Sequence, residues 1–244
     1  MSDLPFVLGI VAALPAEARA AGATVAPPGE PVTIADGVLL VRSGVGRDRA
    51  RQAAGDLLDA GAGALLSWGM AGALDPGLQA GDLLLPEEVL ARDGIRYGVD
   101  VSWRKRVAAS VALREVRHPT ILAEAEEVLR DADDKGLLHT LSGASAADME
   151  SAAVAEACAR ARIPLLVLRA VSDSARARLP DCALAAMNAD GDVNPGRCLW
   201  KLLAAPGDLP ALLRLAAGFR AACRSLSRAA GQVGPGFLAP GPQA

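Results

Sequence analysis

Short apolar runs recur along the chain, and several of them are separated by stretches that have the periodicity of helices. The clearest runs cover residues 6–14, 37–46, 64–74, 81–90 and 163–173. Apolar runs of this length are typical of strands buried on both faces, and their alternation with helices predicts a parallel sheet between two helical layers. We therefore expect an α/β fold: a single domain over residues 1–230, with three α/β/α layers around a mostly parallel mixed sheet.

The stretch that follows Gly46 predicts an amphipathic helix that ends before Gly61. Its apolar residues recur three and four positions apart, as one face of a helix requires. They are Ala50, Ala53, Ala54, Leu57 and Leu58. We expect this face to cover one side of the sheet.

A second apolar stripe is predicted on a helix near the end of the chain. It comprises Leu209, Leu212, Leu213, Ala216, Phe219, Cys223 and Leu226. Such a helix could pack onto its own domain, lean on a membrane or admit a lipid tail. Trp103 and Trp200 could likewise line a lipid groove, or anchor the core or an interface. From residue 231 the chain is rich in Gly and Pro, so we expect residues 231–244 to form a disordered tail.

Charge and composition exclude several classes of function. With 244 residues, a net charge of -3 and 3% aromatic residues, the chain has neither the basic surface nor the stacking platforms of a nucleic-acid-binding protein. The four cysteines are widely spaced and only two histidines accompany them, so we expect reduced thiols and no metal site. The sequence shows no dinucleotide fingerprint, signal peptide or membrane-spanning apolar run. We therefore expect no redox cofactor and a cytoplasmic protein.

Candidate chemistry lies just after the apolar runs. In parallel sheets, ligands bind outside the carboxyl ends of the strands, which here are followed by Glu17, by turns at 43–46 and 69–72, and by the pair 172–173. A further group, 148–150, opens the helix before the last of these strands, where free amides favour negative charge. We expect these five segments to converge on one pocket.

Several motifs resemble those of the nucleoside phosphorylase and nucleosidase superfamily. They are "GVG" from Gly44, "GMAGALDPGLQAGD" from Gly69 and, most specific, "DMESAAVA" from Asp148 followed by "IPLLVLRAVSD" from Ile163. The resemblance covers roughly residues 6–175 and includes methylthioadenosine/adenosylhomocysteine nucleosidases and purine nucleoside phosphorylases. It implies cleavage of the bond between the sugar and the base of a purine nucleoside.

The resemblance also implies a role for each residue of the most specific motif. Glu150 would bind the ribose hydroxyls and, when ionised, favour the cationic sugar, while Met149 would pack against the sugar face. Asp173 would protonate the purine as a general acid, oriented by Ser172. Each carboxylate has an ordinary alternative, because Glu150 could be a first-turn helix charge and Asp173 a cap. Asp148 is expected to cap its helix.

Glu17 lies where nucleosidases of the superfamily have the glutamate that activates water. A surface glutamate at the start of a helix is the competing interpretation. Met70 replaces a small polar residue of the nucleosidases, which predicts a less polar surface at the 5' side of the sugar. Gly72, in the same turn, is assigned to the substrate site. The purine-stacking residues are expected within residues 117–122.

Phosphate recognition is ambiguous. The hexameric phosphorylases have an arginine and a serine flanking the first glycine of the third-strand motif, and Ser67 and Met70 take those places here. The anion could instead be bound near the glycine turns, by amides or a guanidinium. The candidates are Gly44, Gly46, Gly69 and Arg42. Arg47 and Arg49 could add charge or be solvated helix charges. Inorganic phosphate is thus a co-substrate if the reaction is phosphorolysis and plays no part in hydrolysis, and no other cofactor is implied.

Beyond Ala175 the chain resembles the hopanoid-associated phosphorylases, a subgroup of the superfamily linked to hopanoid side-chain synthesis. This resemblance implies release of adenine from adenosylhopane, a lipid-linked nucleoside. Members of the superfamily commonly form oligomers, so we expect a homodimer or larger homo-oligomer, and a cytoplasmic protein of this kind could contact the inner face of the membrane. Two alternatives remain open. One is a methylthioadenosine/adenosylhomocysteine nucleosidase, which Glu17 favours and Met70 disfavours. The other is a nucleoside-binding protein without catalysis, which intact Glu150 and Asp173 disfavour.

Overall fold

A computed structural model describes residues 6–111, 116–117 and 120–241, with the backbone only at 116–117. Its strands are β1 (Val7–Ala12), β2 (Pro31–Ala35), β3 (Val38–Arg42), β4 (Ala62–Ala73), β5 (Leu83–Leu84), β6 (Glu88–Leu90), β7 (Arg96–Gly98), β8 (Val116–Arg117), β9 (Ile121–Glu124), β10 (Ala146–Asp148) and β11 (Leu165–Asp173). Its helices are α1 (Pro15–Ala20), α2 (Arg47–Asp59), α3 (Val101–Ser110), α4 (Ala132–Ser142), α5 (Ser151–Ala161), α6 (Asp181–Ala186), α7 (Pro195–Ala204) and α8 (Leu209–Val233), with a 3-10 turn at Pro206–Asp208.

Strand β4 is the centre of a mixed sheet. It is parallel to β1 on one side and to β11 on the other, and near its end it pairs with the antiparallel strand β10. From β10 the sheet continues through β9, β6 and β7, and from β1 it continues through β3 to β2. A side branch joins β11 to β5 and β5 to β8. The predicted mostly parallel mixed sheet is confirmed.

Helices cover both faces of this sheet. One core contains buried residues of α1, α3 and α8 together with Trp68 of β4. The other contains buried residues of α2 and α5 together with Leu65 of the same strand. The buried face of α2 is the one that its sequence predicts, with Leu58 half-buried at its margin, and comprises Ala50, Ala53, Ala54 and Leu57. The three α/β/α layers are therefore confirmed.

The apolar run at 81–90 forms two strands instead of one. Strand β5 ends at Leu84 and β6 begins at Glu88. Between them lies Pro86, which has no amide hydrogen to donate to a neighbouring strand. Because β5 pairs with β11 whereas β6 pairs with β7 and β9, the chain changes its partner strands across this proline.

Helix α8 packs onto the sheet through small residues. Of its predicted apolar stripe only Leu226 is buried, whereas Gly218 and Ala222, which lie outside the stripe, are buried as well. A Cβ on Gly218 would lie 2.2 Å from the carbonyl oxygen of Ser172. The absence of a side chain at this position therefore lets the helix rest on the end of β11, next to the candidate site.

Part of the segment 231–241 packs against the core, which departs from the disordered tail that composition predicts for residues 231–244. Phe237 is only 2% exposed. Its ring meets that of Trp68 edge-on, with centroids 5.2 Å apart, and its carbonyl oxygen accepts a 2.7 Å hydrogen bond from the indole nitrogen of Trp103. A single buried aromatic side chain thus holds this segment against the core, although the average composition of the segment, rich in Gly and Pro, predicts disorder. Residues 242–244 lie outside the described residues.

Helix α7, in contrast, has no buried residue. Its apolar side chains Leu199, Trp200 and Leu203 are exposed, Trp200 by 75%. Of the two tryptophans considered for a lipid groove, Trp103 thus belongs to the core and Trp200 to the surface. Among the described residues, no single helix has the length and apolar character to cross a bilayer. Residues 195–204 and 206–233 meet these criteria only as a pair, which is bent by 116°.

Candidate functional site

A cavity of about 180 Å³ opens beside the carboxyl ends of β1, β4 and β11 and the start of α5. All the residues predicted to act in catalysis or to bind the nucleoside line it. They are Glu17, Met70, Gly72, Met149, Glu150, Ser172 and Asp173. The phosphate-site candidates Arg42, Gly44, Gly46 and Gly69 do not line it, although Val45 does. The structure therefore brings together the predicted nucleoside site but not the predicted anion site.

Glu17 is held in the cavity by backbone amides. Pro15 begins α1, where its missing amide hydrogen costs little. Glu17 folds back so that Oε2 accepts hydrogen bonds from the amides of Ala13 (2.9 Å) and Leu14 (2.8 Å), while Oε1 accepts one from the amide of Met70 (2.8 Å). Burial raises the pKa of Glu17, although these amides oppose the rise. With 3% exposure, Glu17 is not a surface glutamate.

A buried arginine beside this carboxylate was missed by sequence reasoning. Arg169 lies within β11 and is 3% exposed. Its Nε donates to Asp148 (2.6 Å), and its Nη2 donates to the hydroxyls of Ser67 (2.7 Å) and Ser151 (2.9 Å). Its positive charge opposes the rise in the pKa of Glu17. An arginine inside an otherwise apolar strand was the available signal, because a buried cation needs a carboxylate partner.

Gly69 explains how the carboxylate and the guanidinium come so close together. A Cβ at this position would lie 2.5 Å from Nη1 of Arg169 and 2.6 Å from Oε1 of Glu17. These distances are well inside normal contact, so only glycine leaves room for both groups. The space beside Gly69 is therefore filled by the two charged side chains and not by an anion site.

Glu150 lies where α5 begins. Its Oε1 accepts a 2.8 Å hydrogen bond from the amide of Gly46, so the glycine turn orients this carboxylate. Burial and the neighbouring Asp148 raise the pKa of Glu150 to about 7, while Arg169 opposes the rise. A cation placed next to Glu150 would therefore favour its ionised form. Asp148 accepts hydrogen bonds from the amide (3.1 Å) and hydroxyl (2.6 Å) of Ser151, the first residue of the same helix.

Asp173 has a different partner for each carboxylate oxygen. Oδ1 accepts a 2.6 Å hydrogen bond from the hydroxyl of Ser172, a contact that agrees with the orienting role implied for this serine. Oδ2 accepts from Nζ of Lys135, a buried lysine of α4 that sequence reasoning did not single out. A Cβ on Gly72 would stand 3.5 Å from the same carboxylate. Gly72 thus lies in ordinary contact range of Asp173, at the edge of the same cavity.

The arginines of the predicted anion site are engaged elsewhere. Arg42 donates to two backbone carbonyls and to the carboxylate of Asp192. Arg47 and Arg49 also form ion pairs, and their partners are Glu124, Glu156 and Asp190. The candidate Arg42 therefore lies outside the cavity, where its guanidinium fastens the segment after α6 to β3.

The glycine turn after β3 is closed by another part of the chain. Gly44 and Gly46 have φ values of +82° and +104°, which favour glycine. A Cβ on Gly44 would lie 2.7 Å from the carbonyl oxygen of Ala189, and the amide of Val45 donates to that same oxygen at 2.9 Å. Residues 118–119, part of the segment predicted to supply purine-stacking residues, lie outside the described residues.

Comparison with known proteins relates these features to a family. A model described as the Phosphorylase superfamily matches residues 8–190. The chain is 30% identical over 163 residues to a 5'-methylthioadenosine/S-adenosylhomocysteine nucleosidase of Tolumonas auensis, and the match covers 59% of this chain and 71% of the relative. It is 32% identical over 132 residues to an aminodeoxyfutalosine nucleosidase of Campylobacter jejuni, with coverage of 47% and 58%.

A solved structure of futalosine hydrolase from Helicobacter pylori has a TM-score of 0.69 to this chain at 18% identity. It covers 95% of this chain and 98% of that one, and this likeness shows the shared fold. The two sequence relatives are nucleosidases. Because the family match spans the strands and turns that form the cavity, including Glu17, Glu150 and Asp173, the chain belongs to the phosphorylase superfamily.

Proposed function

We propose that the protein is a purine nucleosidase that hydrolyses the N-glycosidic bond. In this reaction Glu17 activates water and Asp173 protonates the leaving purine. The observation that carries the proposal is the setting of Glu17, a buried carboxylate with a raised pKa that is fixed by three amides in the same cavity as Glu150 and Asp173. A general base needs both this fixed position and a raised pKa.

Each group has a defined part in the reaction. The bond between the anomeric carbon and the purine nitrogen breaks with its electron pair moving to the purine, which leaves positive charge on the sugar. Asp173 gives a proton to the five-membered ring of the base. Glu17 takes a proton from water as the water oxygen bonds to the anomeric carbon. Glu150 binds the ribose hydroxyls, and its negative charge stabilises the cationic sugar.

Electrostatics favours water over phosphate as the nucleophile. The arginines beside the glycine turns are paired with carboxylates, and Arg169 is occupied by Asp148 and two hydroxyls. A phosphate dianion next to the anomeric carbon would also face Glu17 and Glu150, two buried carboxylates. The names of the two nucleosidase relatives agree with hydrolysis.

We further propose that the substrate is lipid-linked, with adenosylhopane as the specific candidate. The resemblance to hopanoid-associated phosphorylases suggests this substrate, and the apolar surface near the cavity supports it. Met187 lines the cavity and is also 42% exposed. The segment that follows it is bonded through Ala189 to the glycine turn that orients Glu150. We therefore place Met187 near Glu150, at the end of the cavity that we assign to the ribose.

Exposed apolar side chains continue from this edge onto α7. They are Met187, Val193, Leu199, Trp200 and Leu203. Arg197 and Lys201 lie on the same helix. Apolar side chains accompanied by basic ones suit a lipid tail at an anionic membrane surface. We propose that this surface contacts the inner face of the membrane. The formation of a homo-oligomer stays a prediction.

A second candidate function is that of a methylthioadenosine/adenosylhomocysteine nucleosidase. The relative from Tolumonas auensis has this name. The cavity volume of about 180 Å³ is below the range of about 300–1,000 Å³ that ligand sites commonly enclose, and this agrees with the smaller of the two nucleosides. The two candidates share the same chemistry and differ in what is attached at the 5' side of the sugar.

The test is to incubate purified protein with adenosylhopane in detergent and, separately, with 5'-methylthioadenosine, each with and without inorganic phosphate. Free adenine and the mass of the sugar product are followed. We expect adenine and unphosphorylated ribosylhopane at the same rate in both buffers. A phosphate requirement with a phosphorylated product would refute hydrolysis, and turnover of methylthioadenosine alone would favour the second candidate. Binding without turnover would instead indicate a nucleoside-binding protein.

Variants test the assigned roles. Glu17→Gln and Asp173→Asn should each lower adenine release by at least about 10²-fold while circular dichroism shows an intact fold. Glu127→Gln changes an exposed carboxyl that lines the same cavity and should keep activity.

Trp200→Ser should raise KM for the lipid nucleoside but not for methylthioadenosine. Val25→Ser, at another exposed apolar residue, should change neither.

A further inference from the structure

Lys135 is a buried cation at an unfavourable position in its helix. It lies at the end of the first turn of α4, directly after Asp133 and Asp134, where the positive end of the helix dipole disfavours a lysine. Its side chain is nevertheless buried, with an exposure of 1%, and lysine is almost never fully buried unless it is paired. The requirements of α4 do not explain this residue, so the explanation lies with its partners.

Those partners all belong to the end of β11 and the loop that follows it. Nζ of Lys135 donates to Oδ2 of Asp173, to the carbonyl oxygen of Ser174 (2.9 Å) and to that of Ala177 (3.5 Å). An ammonium group has three hydrogens, so these acceptors use its full capacity. Lys135 also lines the cavity. It therefore holds the proposed general acid and the adjoining loop at the same time.

We propose that Lys135 is a positioning residue that also stores the proton which Asp173 delivers to the leaving purine. This inference rests on the proposed role of Asp173. A carboxylate that is paired with an ammonium has no proton of its own to give, and Lys135 is bonded directly to it. As the glycosidic bond breaks, the ammonium of Lys135 gives its proton to the carboxylate of Asp173, which passes that proton to the purine nitrogen and is left as a carboxylate again. The neutral amine then takes a proton from solvent.

The proposal predicts a recognisable pH dependence of the rate, because the proton comes from an ammonium group and not from a carboxylic acid alone. Lysine ammonium groups in general keep their proton to much higher pH than carboxylic acids do. If the ammonium of Lys135 supplies the proton, the rate of adenine release should therefore stay level through neutral pH and beyond. A carboxylic acid acting alone would instead lose its protonated fraction about tenfold per pH unit.

Other charged groups surround the pair. On α4 and its N-cap, the carboxylates of Asp131 and Asp134 accept hydrogen bonds from backbone amides. The charged groups of the cavity, of the loop after β11 and of α8 are Glu17, Glu127, Asp148, Glu150, Arg176, Arg178, Asp208 and Arg214. Within the described part of the chain, none of them bonds to Lys135 or Asp173. These groups are the same in wild type and in the variants, so a difference between the pH profiles of their rates reports the contribution of Lys135.

The experiment measures adenine release from about pH 7.5 to 9.5, above the pKa of about 7 for Glu150. The probe is adenosylhopane in detergent, or 5'-methylthioadenosine if wild type turns over that nucleoside instead. We expect a level rate for wild type and, for Lys135→Met, a rate that falls about tenfold per pH unit.

Arginine keeps the positive charge but does not release its proton. Lys135→Arg should therefore bind adenine and yet lose at least about 10²-fold in rate, with recovery toward acid pH.

Several results would overturn the inference. One is a Lys135→Arg variant as fast as wild type, and another is a loss in Lys135→Met that is the same at every pH. A wild-type rate that itself falls tenfold per pH unit would also overturn the inference, and this measurement does not depend on whether either variant folds. Circular dichroism and calorimetric binding of adenine report whether fold and pocket are kept.

If Asp173→Asn stays active, the proposed acid is wrong. If it is inactive while Lys135→Arg is active, only the inference about Lys135 fails.

Discussion

Replacing Glu150 by glutamine should alter how the stability of the protein depends on pH. Burial next to Asp148 raises the pKa of Glu150 from 4.5 to about 7 in the folded protein, whereas in the unfolded chain this carboxyl is solvated. The folded protein thus binds the proton more tightly than the unfolded chain. Wild-type stability should therefore fall as the pH rises from about 4.5 to about 7 and become level above that.

The size of the effect follows from the shift. At about 1.4 kcal/mol per pKa unit, the pKa shift of Glu150 corresponds to about 3 kcal/mol of unfolding free energy as an upper limit. For a chain of 244 residues, this is a change in Tm on the order of 10 °C. Glutamine keeps an acceptor for the amide of Gly46 and has no charge to bury. Relative to wild type, Glu150→Gln should gain stability as the pH rises from about 4.5 to about 7, and the difference should be level above that.

The assay is thermal unfolding followed by circular dichroism at constant ionic strength over this pH range. Glu127→Gln is the matched control, because it makes the same chemical change at an exposed carboxyl that lines the same cavity. Its difference in Tm from wild type should be level across the pH range. If the difference for Glu150→Gln is equally level, folding does not raise the pKa of Glu150 and the reasoning is refuted.

Three further predictions concern packing. Gly69→Ala should lower adenine release at least about 10²-fold by displacing the charged groups beside it, while Gly55→Ala, where a Cβ has open space, should leave it unchanged. Arg169→Met leaves a buried carboxylate without its cation and should cost about 3–5 kcal/mol in urea denaturation; a cost below 1 kcal/mol would contradict this pairing. Phe237→Ala should cost about 3–5 kcal/mol, against little for exposed Leu137→Ala.

The location of the site could be predicted from the sequence because it follows from topology. Glu17 and Asp173 come after buried strands, and Glu150 opens a helix that leads into one of them. Parallel strands bring such positions to one edge of a sheet, and the structure has all three in one cavity. Arg169 and Lys135 were not predicted, because the pattern around a buried cation does not indicate which distant carboxylate it will meet.

Long-range contacts also explain where the structure departs from the expectations drawn from the sequence. Arg42 is next to the glycine turn in sequence, but the direction of a long side chain depends on its partner. That partner is Asp192, 150 residues away along the chain. The C-terminal segment looks disordered by composition, yet Phe237 finds Trp68 and Trp103 in the core. In both cases the deciding contact joins segments whose proximity follows only from the complete fold.

The buried charges at the cavity do not cancel, and this imbalance favours catalysis. Asp148 is paired with Arg169, and Asp173 with Lys135. Glu17 and Glu150, in the described structure, have no ion-pair partner, and burial raises the pKa of both. Their negative charge is costly until positive charge develops on the sugar, which happens only as the glycosidic bond breaks. An interaction made mainly in the transition state raises kcat more than it tightens substrate binding. The glutamine that stabilises the fold at Glu150 should therefore slow the reaction, chiefly through kcat.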